Sequence, residues 1–100
     1  MFPTPDELET KLSNLEKKLS DPALIANQRE YTKVAQEHAQ VTKLAALSSR
    51  HQKVNDELAE NKKMHQEEDD PELLDLVNKD IEELKEKAGD IENDIKLLLL

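Results

Sequence analysis

Eight apolar residues, Leu74, Val77, Ile81, Leu84, Ala88, Ile91, Ile95 and Leu98, recur at alternating steps of three and four without a miss. Such steps return each side chain to one face of an α-helix and are incompatible with the period of two of a strand. The spacing therefore predicts a helix over about 71–100, packed along its whole length on another helix. Asp70-Pro71-Glu72 marks its start. A short polar side chain can cap the first free amides there, and proline fits the first helical position.

The same punctuation places two more helices. Thr4-Pro5-Asp6-Glu7 reads as a capping box, with Leu8, Leu12, Leu15 and Leu19 forming one stripe behind it until Ser20-Asp21-Pro22 interrupts. Helix one is expected over about 4–20. Between Pro22 and Asp70 the chain holds no proline or glycine, and its seam reads Tyr31, Val34, His38, Val41, Leu44, Leu47, His51, Val54 and Leu58. Helix two is expected over about 23–68, with Ser48-Ser49, near 48–50, as the place for a kink or break if it has one. If a turn near Asp69 folds helix three back antiparallel, Leu58 falls opposite Ile81, Val54 opposite Leu84, His51 opposite Ala88, Leu44 opposite Ile95 and Val41 opposite Leu98. Helix one then covers roughly Gln28 to Ala39, and the leucines at 97–100 lie where the three helices converge. The fold class is all-α: an elongated three-helix bundle, or antiparallel coiled-coil-like hairpin, in a single domain over residues 1–100.

Composition agrees with that reading and limits it. A mean hydropathy of -0.82, 37% charged residues and one glycine describe a chain in which nearly every segment can be helical. With one Tyr and one Phe, the core must come from Leu, Ile, Val and Ala, and it is thin. The absence of cysteine suits a reducing compartment. MFPTPDELET has neither a basic leader nor an apolar run of signal-peptide length, and Leu97 to Leu100 is far too short to span a bilayer. A cytoplasmic location, with no membrane partner, is expected.

Charge is unevenly spread. Residues 1–66 hold ten acids and ten bases, whereas residues 67–100 hold thirteen acids and four bases, so the net charge of -9 lies on the turn and helix three. The plain reading is a solvated helix face supported by the pairs Asp75–Lys79, Glu83–Lys87 and Glu92–Lys96 at i,i+4. A partner of that face is expected to be basic, which disfavours direct contact with nucleic acid. The run Glu67, Glu68, Asp69 and Asp70 is the candidate partner contact. It lacks the alternating ligands and glycine of a calcium loop. His38, His51 and His65 have no second His or Cys at ligand spacing, so no metal site is expected. His38 and His51 fall on the seam, where ring packing and local hydrogen bonds are the plain reading, and a neighbouring carboxylate would make His51 pH-sensitive. No glycine-rich phosphate loop, Gly-x-Ser-x-Gly or His-Glu-x-x-His occurs. No catalytic residue, metal ligand or cofactor is assigned, and these 100 residues are expected to be non-catalytic.

Three stretches carry a resemblance: LEKKLSDPALIANQREYTKVAQEHAQV (15–41), ELAENKKMHQEEDDPELLDLVNKDIEEL (57–84) and IKLLLL (95–100). In order and spacing the chain resembles the N-terminal domain of bacterial class I peptide chain release factors. It lacks the tryptophan that the second type of the family carries after the Asp-Pro step, and it begins close to its first helix, so it is similar to type 1, which reads UAA and UAG. The resemblance implies a docking domain of a translation termination factor. The stop-codon-reading tripeptide and the Gly-Gly-Gln loop that positions water for hydrolysis of peptidyl-tRNA belong to other parts of such factors. Gly89 is the only glycine here and no Pro-x-Thr occurs, so neither function carries over to a residue of this chain.

The resemblance further implies a position near the stalk base of the large ribosomal subunit, with the acidic turn meeting a basic ribosomal protein. Leu97 to Leu100 has no glycine, asparagine or basic turn behind Lys96, which reads as one domain of a longer protein, and the resemblance implies that the leucine run is the hinge to the next domain. Two other readings stand beside this one: a helical-hairpin scaffold or coiled-coil module unrelated to translation, and the hairpin arm of a tRNA-handling enzyme, which needs a basic arm. Self-association of the isolated chain, completing its thin core with a second copy, is also an expectation.

Overall fold

A computed structural model describes residues 2–100 as four helices in chain order: α1 (Pro5–Leu19), α2 (Pro22–Ala26), α3 (Gln28–Glu67) and α4 (Pro71–Leu99). The chain divides into two compact units, Met1–Ser48 and Ser49–Leu100, and α3 contributes to both.

In the first unit the Thr4 hydroxyl accepts from the Glu7 amide at 3.2 Å, and the Glu7 carboxylate accepts from the Thr4 amide at 3.2 Å. Two orphan donors are thereby satisfied, and α1 starts where expected. Leu8 and Leu15 are buried, with Leu12 and Leu19 half-buried beside them on the same stripe. Beyond α1, the Asp21 carboxylate accepts from the Ala23 amide at 3.0 Å and opens α2.

Here the structure departs from the expected second helix. The segment from 23 to 68 is not one helix: Asn27 turns extended, at φ -104° and ψ 93°, and its side-chain oxygen accepts from the Glu30 amide at 3.2 Å to start α3. An asparagine that caps the next helix breaks the previous one as well as proline does, because its side chain replaces the lost backbone partner. The bundle thus has four helices rather than three.

The expected break near 48–50 is absent. The helix runs unbroken through Ser48 and Ser49, and Ser48 is buried, its hydroxyl donating to the Pro3 carbonyl at 3.3 Å. Its partner lies 45 residues away in sequence, so the serine serves tertiary packing instead of unwinding its own helix. Tyr31, expected on the seam, is exposed, and Val34 is the first partly buried seam residue of α3.

In the second unit Leu58, Val77, Ile81, Leu84 and Ala88 form one buried cluster, with Val54 packed against it. Leu58 with Ile81 and Val54 with Leu84 are therefore in the expected neighbourhood. The Asp70 carboxylate accepts from the Glu72 amide at 3.0 Å and caps α4 as predicted. All eight residues of the 3/4 repeat are buried or half-buried, Ile95 most completely at 1% exposure. Leu97, Leu99 and Leu100 are exposed because they fall off that repeat, so the leucine run is not a filled core.

Candidate functional site

The acidic turn joins α3 to α4 through three non-helical residues, Glu68, Asp69 and Asp70. Its four carboxylates have different tasks. Glu68 folds back so that one oxygen accepts from the Asp69 amide at 3.2 Å and the Asp70 amide at 3.1 Å, while Asp70 caps α4. Both are structural. Glu67 and Asp69 are exposed, and among the described residues their carboxylates accept no hydrogen bond and join no ion pair. Glu67 also ends α3, where the helix dipole is negative and a carboxylate is disfavoured. Of the four candidate contacts, Glu67 and Asp69 are the two left free to meet a partner.

Just past the turn, the apolar run Leu73-Leu74-Asp75-Leu76-Val77 divides by helical phase. Leu74 and Val77 turn to the seam, while Leu73 and Leu76 remain 45% and 59% exposed. Sequence reasoning passed over these two, although their position off the 3/4 repeat marks them.

The histidines reach further than local bonding allows. His38 Nε2 lies 3.3 Å from the Glu16 carboxylate of α1, and His51 Nε2 lies 3.0 Å from the Glu92 carboxylate of α4. Each ring therefore ties two helices together. None of the expected i,i+4 ion pairs closes: Glu92 reaches His51 instead of Lys96, and on the surface Lys85 pairs with Glu82 at i,i+3. Exposed lysines hold such pairs weakly, so a partner on the neighbouring helix prevails.

An open groove of the second unit carries three cations, Arg50, Lys53 and Lys87, and three carboxylates, Glu57, Asp90 and Asp94. Its three positive and three negative charges balance. Among the described residues, no set of three or more His, Asp or Glu side chains is arranged to hold a metal ion, and no helix is long and apolar enough to cross a membrane.

Comparison with known proteins decides the family. The model of the PCRF domain matches residues 8–100, which takes in the stripe of α1, the seam of α3, the acidic turn and all of α4. This chain belongs to the PCRF domain family. The PCRF domain here is 36% identical over 99 residues to peptide chain release factor 1 of Syntrophobacter fumaroxidans, covering 99% of this chain and 28% of that protein. It is likewise 36% identical over 93 residues to peptide chain release factor 1 of Clostridium perfringens and of Clostridium botulinum, covering 93% of this chain and 26% of each. The PCRF domain thus spans little more than a quarter of the curated relatives it matches. No solved structure matches it.

Proposed function

We propose that this PCRF domain docks a translation termination factor on the ribosome. The observation that carries the proposal is the match over nearly the whole chain to proteins named peptide chain release factor 1. The complete factor, on this reading, directs hydrolysis of peptidyl-tRNA at UAA and UAG in the cytoplasm. These 100 residues contribute no catalytic group to that reaction. They contribute a rigid, acidic hairpin end that meets a basic ribosomal protein at the base of the large-subunit stalk.

The charge distribution supports that division of labour. All of the net charge lies from residue 67 onward, and complementary potentials chiefly raise the rate and orientation of encounter. Glu67 and Asp69 are the residues assigned to the contact, with Glu68 and Asp70 holding the turn that presents them. The scaffold and tRNA-enzyme readings have no comparable support.

A chimera tests the proposal. This chain replaces the matching 93 residues of the Clostridium perfringens release factor 1, and peptide release is measured on ribosomes stopped at UAA, UAG or UGA. Release at UAA and UAG within about tenfold of the parent, about 1.4 kcal/mol, is expected. A folded chimera that binds ribosomes no better than an unrelated helical hairpin in the same position contradicts it.

A further inference from the structure

We infer that Leu73 and Leu76 form the apolar anchor of the docking surface, and that they are covered by a basic, amphipathic protein segment; the inference rests on the docking reading above. Positions three apart on a helix are surface neighbours, so the two leucines adjoin on the outer face of α4. Leu76 has Glu72 four residues before it and Asp80 four residues after it, which places a carboxylate on each side along the same row. Asp69 stands four residues before Leu73, and Lys79 is the base closest in sequence to the pair. An isolated exposed leucine is ordinary on a protein surface, but two adjoining ones with Glu72 and Asp80 along their row, and Lys79 the one base beside them, have the layout of an interface: a small apolar centre and a mainly acidic rim.

The charges choose the occupant. Nucleic acid and anionic lipid are both repelled by this rim. A second copy of the chain would bring the same carboxylates against themselves, since the whole net charge of -9 lies on residues 67–100. A segment with an apolar side chain between lysines or arginines meets both features at once. Affinity then resides in the leucines, which are desolvated at the centre, and encounter rate resides in the acids.

The test measures association and dissociation of the full chain with salt-washed bacterial ribosomes at several salt concentrations. Three forms are compared: the parent chain, Leu73→Ser with Leu76→Ser, and Glu67→Lys with Asp69→Lys. All four positions are exposed, and circular dichroism checks that helix content is kept. The leucine pair is expected to speed dissociation and to weaken affinity about tenfold with an unchanged salt slope, whereas the acidic pair slows association and flattens that slope. Leucine variants that bind like the parent, while the acidic variants lose association rate, overturn the anchor and leave the docking reading intact. A parent chain that does not bind ribosomes overturns both. A concentration-dependent dimer in sedimentation that the leucine variants abolish also overturns the anchor, because a second copy then covers the patch.

Discussion

His51 Nε2 lies 3.0 Å from the Glu92 carboxylate, a link between α3 and α4. Asn55 places its amide nitrogen 3.4 Å from His51 Nδ1, so both ring nitrogens have a partner. The histidine side chain is 19% exposed and the glutamate 42%. Solvent therefore screens the pair on one side. A double-mutant cycle with His51→Ala and Glu92→Ala, read by urea unfolding, is expected to give a coupling of about 0.5–1 kcal/mol. Strict additivity of the two single changes contradicts the link.

Gly89 sits inside the buried repeat of α4 without being required there. A Cβ built on it meets nothing within 4 Å, and its φ is not positive. Gly89→Ala is expected to stabilise the chain by about 0.5–1 kcal/mol through lower entropy of the unfolded state. A lower urea midpoint for the variant would show that the position is crowded.

The seam and the leucine run differ sharply in what they contribute. Ile95 is 1% exposed, whereas Leu97 is 67% exposed two residues later. Ile95→Ala is expected to cost about 2–5 kcal/mol and Leu97→Ala less than about 0.5 kcal/mol in thermal or urea unfolding. Similar costs for the two would contradict the assigned helical phase.

Glu67 opposes the dipole of the helix it ends. Glu67→Lys is expected to raise stability by a few tenths of a kcal/mol, roughly the value of a surface charge at a helix terminus, while reducing ribosome association. A variant that loses both stability and association places Glu67 among the structural carboxylates with Glu68 and Asp70.

Much of the fold was legible because helix starts and seams are local. Thr4-Pro5 and Asp70-Pro71 announce their helices by chemistry confined to four residues, and the 3/4 repeat of α4 survives intact in the buried face. Asn27 was missed because asparagine is neutral in composition, and it breaks a helix only when its side chain finds an amide to cap. Ser48 misled for the converse reason. A serine hydroxyl can compete with its own helix, but here the Pro3 carbonyl, distant in sequence, accepts its bond.

The turn that carries the proposed contact was legible in place and not in detail. Charge counting located the turn, but it could not separate Glu68 and Asp70, which satisfy backbone amides, from Glu67 and Asp69, which do not. That distinction depends on the turn's conformation. Leu73 and Leu76 were hidden inside an apolar run until the phase of α4 assigned their neighbours Leu74 and Val77 to the seam.

On the proposed function, the acidic end of the α3–α4 hairpin docks a termination factor on the ribosome. Stopped-flow association of the chain with bacterial ribosomes, at low and at physiological salt, tests it most directly. The association rate is expected to fall steeply with salt and to drop about tenfold in Glu67→Lys with Asp69→Lys at low salt. Equal association rates for the parent and that double variant at low salt contradict it.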